Sequence, residues 1–302
     1  MVVALDVGGT GMKCALVRPD GTGVHTERHR TRAERGPAAV VASILDIAEG
    51  LTEKARADGL TPVAVGVAVP GVVDESTGTA VWSANLGFRD VPLREPVEAR
   101  LGLPTALGHD VRVGGIAEAR LGAGRDTRHV LFVAVGTGIA AAHVVNGSAA
   151  AGAHGAAGEL GHIVVRPGGP PCGCGGAGCL EAVASAAAVG RRYTALTGTP
   201  ATAAEVFTRS AAGEEAAGQV WRETVDALAD GLAVAQALYD TEVVVLGGGL
   251  AEAGPGLLDP LRFALRQRLT FQTEPRLVRA ALGDEAGCLG AALLALDTWK
   301  TS

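Results

Sequence analysis

An α/β fold in two related lobes is predicted by three observations on this sequence. Apolar runs of strand length end in glycine turns at three well-separated places, "LDVGGTG" at 5–11, "AVGTGI" at 134–139 and "VLGGGL" at 245–250. Segments with apolar residues at helical spacing lie between and after them. The stretch "VLFVAVGTGIAAAHVVNG" at 130–147 also repeats the shape of "VVALDVGGTGMKCALV" at 2–17: apolar strand, glycine turn, apolar strand. That recurrence is too widely spaced for a short-period solenoid and points to two lobes. Strands alternating with helices give layered sheets rather than a bundle or a sandwich.

Taken in order, residues 2–7 form a strand, and "GGT" turns the chain into a second strand, with glycine where the backbone must bend or approach something closely. Residues 37–57 carry Val40, Val41, Ile44, Leu45, Ile47, Ala48 and Leu51 at helical spacing. "PVAVGVAVPG" at 62–71 lacks clean alternation and reads as a strand buried on both faces. A helix near 92–101, the strand "LPTALGHD" and a helix at about 111–121 follow. After the repeated strand pair, residues 181–239 are mostly alanine-rich helix. "EVVVLGGGLAEAG" at 242–254 is a strand running into a glycine turn and a helix, and the chain closes with a strand near 276–281 and a helix near 286–299. The lobe boundary falls near 110–122: residues 1–115 form a small α/β lobe, on which a last helix at about 288–302 packs back, and 116–287 form a larger one.

Composition narrows the function. A net charge of −6 and a pI near 5.7 leave no basic footprint for nucleic acid. No apolar run is long enough to span a bilayer. The N-terminus "MVVALDVGGT" has no basic region before its apolar run, which points to no signal peptide and a cytoplasmic protein. In that compartment clustered cysteines bind metal more often than they form disulfides.

The first glycine turn is the richest. Asp6 precedes it, and Gly8, Gly9, Thr10 and Lys13 follow, so a carboxylate for hydrated Mg²⁺ sits beside amides and a hydroxyl for phosphate. The turns at Gly136, Thr137 and Gly138 and at Gly247, Gly248 and Gly249 offer free amides of the same kind. None matches the Walker or dinucleotide patterns. In "GELGHIVVRPGGPPCGCGGAGCLE" at 158–181, His162, Cys172, Cys174 and Cys179 supply the four ligands of a closed tetrahedral zinc site. Glu159 and Glu181 flank that set and, by themselves, read as surface carboxylates. Cys14 and Cys288 lie in apolar runs and read as buried hydrophobes. Asp110, at the end of a strand and the start of a helix, reads by itself as a helix cap, which is compatible with a general base because a cap also fixes the carboxylate.

Together "LDVGGTGMKCALV", "VGTGI", "VVLGGG" and "GELGH…CGCGGAGCLE" resemble the ROK family of bacterial repressors and sugar kinases, in the actin-like ATPase superfamily. The resemblance spans about residues 2–298. It implies a two-lobed actin-like ATPase (ribonuclease H-like) fold, with a zinc-binding loop and a helical dimerisation region in the larger lobe. It implies an ATP- and Mg²⁺-dependent kinase acting on a hexose, glucose-like and at the 6-hydroxyl, in a homodimer or homotetramer. The family's sugar-contacting positions correspond to Asn85, His109, Glu159, His162 and Glu181, and its catalytic base corresponds to Asp110. The family pattern N-D-x-N is "HDVR" here, so His109 and Arg112 replace its two asparagines. Other acceptors in view are an N-acetylhexosamine, another hexose or a cyclitol, and polyphosphate is a second donor. A non-catalytic sugar sensor is opposed by the presence of both Asp6 and Asp110. A ROK repressor would carry a helix-turn-helix module before the kinase-like part, and this sequence opens on the phosphate turn.

Overall fold

The computed structural model describes residues 1–301. In chain order the main elements are β1 (Val2–Val7), β2 (Gly11–Val17), β3 (Gly23–Arg30), α1 (Pro37–Ala57), β4 (Ala64–Val69), β5 (Val72–Asp74), β6 (Thr79–Ser83) and β7 (Phe88–Pro92). There follow α2 (Arg94–Leu101), β8 (Thr105–His109), α3 (Asp110–Arg120), β9 (His129–Val135), β10 (Ile139–Val145), β11 (Ser148–Ala149), α4 (Leu180–Ala184) and α5 (Ala186–Thr197). The chain ends with α6 (Ala203–Ala211), α7 (Glu215–Tyr239), β12 (Val243–Gly247), α8 (Pro255–Arg266), β13 (Arg276–Arg279) and α9 (Ala286–Thr301).

Two compact units divide the chain. The first holds Met1–Leu121, Ser148–Ala157 and the C-terminal segment from Asp284; the second holds Gly122–Gly147 and Gly158–Gly283. The short excursion at 148–157 is absent from the sequence-based division, because nothing in its small-residue composition marks it as belonging to the first unit.

The first unit is built on a sheet of order β3-β2-β1-β4-β8. Strand alternation decides what each face meets. Val3, Leu5 and Val7 of β1 join Val65 and Val67 of β4 in one apolar cluster with Val40, Ile44 and Leu51 of α1. Ala4 and Asp6 point to the other face, which α9 covers. There the packing is close enough to require glycine: a Cβ on Gly66 would lie 2.0 Å from the Ala291 carbonyl. A second, three-stranded sheet, β5-β6-β7, carries the loop to Asn85.

The second unit repeats the scheme. β9 pairs antiparallel with β10 and parallel with β12, as β1 pairs antiparallel with β2 and parallel with β4, and β13 extends the sheet as β8 does. Its core gathers Leu131, Val133 and Val135 of β9 against Leu180, Val189, Leu228 and Leu232 of the helices. Both units therefore show the same order, which is the recurrence legible in the two glycine-turn motifs. No helix among the described residues is long and apolar enough to cross a membrane.

Candidate active site and zinc centre

In the first unit the turn after β1 is closed by backbone. Gly8 N–H donates to Gly11 O at 2.9 Å, and the Thr31 hydroxyl donates to Gly8 O at 2.5 Å. A Cβ on Gly9 would come within 3.0 Å of Asn85 Cβ, so the turn and Asn85 are neighbours. Asp6, the last β1 residue but one, lies on the α9 face, and a Cβ on Gly287, in the first turn of α9, would lie 2.3 Å from Asp6 Oδ2. Burial pushes the Asp6 carboxyl up to about 6, the Asp110 charge adds to the rise, and Lys13 opposes it. Lys13 is the cross-strand partner of Asp6 and pairs with Asp284 at 3.4 Å.

Asp110 is the first residue of α3, and the cap of that helix is His109 rather than Asp110. The His109 ring accepts from Arg112 N–H, and Asp110 Oδ1 accepts from Val111 N–H at 2.7 Å. The Arg112 side chain is buried and turned away from this turn. Its Nε donates to Glu75 Oε1 at 2.8 Å and its Nη1 to Gly155 O at 3.4 Å, tying the β5–β6 turn and the 148–157 excursion to α3.

In the second unit the GTG turn is closed by Gly136 N–H donating to Gly138 O at 2.9 Å. Glu181, in the first turn of α4, reaches back to it: Oε2 accepts from Ile139 N–H at 2.9 Å. A Cβ on Gly138 would sit 2.5 Å from that oxygen, so glycine is needed for the carboxylate to approach. The glycines of "GELG" have the same cause. Cβ atoms on Gly158 and Gly161 would lie 1.9 and 2.1 Å from the carbonyls of Ala141 and Ile139, because the loop runs directly along β10. Glu159, Glu181 and the GTG turn thus converge on the start of β10. At the third turn Gly247 and Gly248 are held against β9, where side chains would meet the Phe132 ring at 2.8 Å and Val135 O at 2.5 Å. Gly249 has open space around it.

The cysteine knot lies beside Glu159. One donor atom from each of His162, Cys172, Cys174 and Cys179 falls within 4.8 Å of all the others. Cys174 and Cys179 Sγ are 3.7 Å apart, and Cys172 Sγ is 3.6 Å from His162 Nδ1. A tetrahedral ion with Zn–S bonds of about 2.3 Å has S···S edges of about 3.8 Å, so the donor set fits zinc. With Nδ1 on the thiol side, His162 Nε2 faces Glu159 Oε2 at 3.7 Å, an outer carboxylate that fixes the ring. Burial pushes the Cys179 thiol up to about 12, whereas the Gly176 backbone N–H, with Cys172 and Cys179, holds Cys174 below the usual thiol range. Metal binding must displace the protons of all three thiols, so affinity is lost toward acid pH. One zinc per chain is expected by elemental analysis. Cys174→Ser should lose it and melt at lower temperature; a metal-free protein of unchanged melting temperature would refute the site.

The ROK family profile matches residues 2–298. The chain belongs to the ROK family. Among its ROK relatives, a glucokinase of Thermotoga maritima is 34% identical over 308 residues, covering 96% of each chain. An N-acetylmannosamine kinase of Escherichia coli is 32% identical over 298 residues, covering 97% of each. In the crystal structure of a ROK family glucokinase from Streptomyces griseus in complex with glucose and AMPPNP, the fold superposes with a TM-score of 0.83 at 29% identity, over 98% of this chain and 99% of that one. The protein is accordingly a sugar phosphotransferase of the ROK family.

Within this ROK frame the first unit holds Asp6, the Gly8–Thr10 turn, Lys13, Asn85, His109 and Asp110. The second holds Gly136–Gly138, Glu159, His162, the three thiols, Glu181 and Gly247–Gly249. Gly287 and Gly155 are additional residues that sequence reasoning missed. Each matters only as a place where a distant side chain or strand must come close, and no local pattern announces that.

Proposed function

We propose that this ROK protein transfers the γ-phosphoryl group of Mg-ATP to the 6-hydroxyl of glucose or a glucose-like hexose, with Asp110 as general base. The observation that carries the reading is the state of Asp110. Its Oδ1 is held by the Val111 amide at 2.7 Å at the end of β8, which leaves Oδ2 to accept a proton. As the acceptor oxygen attacks phosphorus, Oδ2 takes the hydroxyl proton and keeps the oxygen in line.

Asp6 supplies the carboxylate for Mg²⁺, and the Gly8–Thr10 and Gly136–Gly138 turns offer amides to the phosphates. Lys13 adds a cation on the same side, and Gly247–Gly249 serves the nucleoside end. Asn85, Glu159, His162 and Glu181 hold sugar hydroxyls. The two carboxylates are immobilised, Glu181 by Ile139 N–H and Glu159 by its glycine-flanked loop and His162, as discrimination between sugars requires. A zinc ion held by His162, Cys172, Cys174 and Cys179 would fix the loop that carries Glu159. A cytoplasmic homodimer or homotetramer completes the reading.

An N-acetylhexosamine is the second acceptor in view, since the N-acetylmannosamine kinase is about as similar as the glucokinases and "HDVR" departs from the pattern on both sides of Val111. A coupled assay of ADP release across hexoses, N-acetylhexosamines and cyclitols decides. Glucose should give the highest kcat/KM; turnover on none of them, with ATP or with polyphosphate, would remove the kinase assignment.

A further inference from the structure

His109 stands where the family pattern has an asparagine that touches sugar. The residue is 7% exposed, and each ring nitrogen has a polar neighbour. His109 closes β8 in extended conformation and caps α3: Nδ1 accepts from Arg112 N–H at 3.4 Å. A ring nitrogen that accepts carries no proton, so in the neutral ring the proton is on Nε2. Nε2 lies 3.4 Å from Asp110 Oδ1. The same imidazole therefore anchors to the helix backbone through one nitrogen and faces the neighbouring carboxylate with an N–H on the other.

We infer that His109 is a positioning residue for Asp110 and not a ligand of the sugar. This rests on the reading of Asp110 as the base. Oδ1 accepts from the Val111 amide at 2.7 Å, and His109 Nε2 lies 3.4 Å from the same oxygen. An amide bonded to Oδ1 and an imidazole N–H beside it restrict the rotation of the carboxylate and present Oδ2 as the proton acceptor. An asparagine at 109 serves only half of this. Its carbonyl can cap the helix, as asparagine does well, but the side chain is too short to place a donor where Nε2 lies. Glutamine has the complementary property. Its amide reaches the place of Nε2, and it is a poor helix cap.

The two substitutions separate the two jobs. His109→Asn should melt close to the parent temperature and keep the KM for sugar. Its kcat should fall by about ten- to a hundredfold, the usual effect of a misdirected catalytic group. His109→Gln should melt lower yet recover most of that kcat. Steady-state kinetics with Mg-ATP over the sugar panel, alongside thermal melts of the zinc-loaded protein, give both readouts. If His109→Asn raises KM or changes the preferred sugar while kcat holds, His109 is a sugar ligand and the inference is wrong. If glutamine is no better than asparagine in kcat, the Nε2 contact has no role and the inference is equally wrong. Asp110→Ala in the same series keeps the two readings apart. Full turnover in that variant would sink the base assignment itself, whereas a dead Asp110→Ala beside a normal His109→Asn would sink only the role of the histidine.

Discussion

Asp110→Ala should lower kcat by about 10²–10⁴ on every sugar the protein accepts, the usual contribution of general-base catalysis, with a much smaller change in the KM for ATP. The reasoning is local. Phosphoryl transfer to a hydroxyl needs one group to take the proton, and Asp110 has one oxygen held by Val111 N–H and the other outside that bond. Asp110→Asn should be as inactive as alanine. It can keep its place at the start of α3, since an amide oxygen accepts from Val111 N–H as a carboxylate oxygen does, but it cannot accept a proton at the other atom. The asparagine variant therefore separates chemistry from helix stability, and its melting temperature should stay near that of the parent. A kcat for Asp110→Ala above about a tenth of the parent value, far outside that range, would reduce Asp110 to a structural residue of α3.

Asp6→Asn should abolish turnover and yet make the protein more stable at neutral pH. Burial and the Asp110 charge raise the Asp6 carboxyl to about 6 from an ordinary 3.8, against the opposing Lys13. In the unfolded chain this group loses its proton near pH 4, and in the folded protein only near pH 6. Between those values the unfolded state binds fewer protons, so stability falls as pH rises through the window and stays lowered above it. A shift of about two units corresponds to a cost on the order of 2–3 kcal/mol at neutral pH. Asparagine carries no charge and escapes that cost. Thermal melts should show Asp6→Asn above the parent at pH 7.5 and level with it at pH 4, and added Mg²⁺ should raise the parent alone. Equal melting at pH 7.5, or retained activity, would contradict the role given to Asp6.

The parts of this protein that sequence reveals are those whose chemistry is contiguous. His162, Cys172, Cys174 and Cys179 occupy one loop, and the structure gathers their donor atoms within 4.8 Å. The paired strands around the two glycine turns announce themselves by apolar runs, and the sheets place β1 with β2 and β9 with β10 as those runs suggest. The β5-β6-β7 sheet was not legible. Its strands are three to five residues long, and β7, "FRDVP", has Asp90 at φ 50 and ends in proline. β3 was missed for a related reason: "GVHTERHR" is a polar edge strand with no residue fully buried. At the candidate site the sequence names Asp6, Asp110, Glu159 and Glu181 but not what holds them. The neighbour of Asp6 is Gly287, almost the length of the chain away, and the donor to Glu181 is the backbone of Ile139. Backbone donors and close approaches leave no side-chain signature, so the constraint on a carboxylate is hidden even where the carboxylate is plain.

The helix α9 has a consequence for how this protein is made. It covers the Asp6 face of the first unit's sheet through contacts such as Ala291 on Gly66, yet in the chain it follows the whole of the second unit. A chain emerging from the ribosome ordinarily completes its N-terminal domain first. Here β1, β2, β4 and β8 leave the ribosome early and must wait with one apolar face open, while every residue of the second unit, up to Gly283, is synthesised ahead of the cover. The unit made first is the one finished last. A premature stop just before α9 would spare the whole coding sequence of the second unit and release a chain whose oldest strands are still exposed, as a substrate for chaperones and proteases rather than an enzyme of reduced activity.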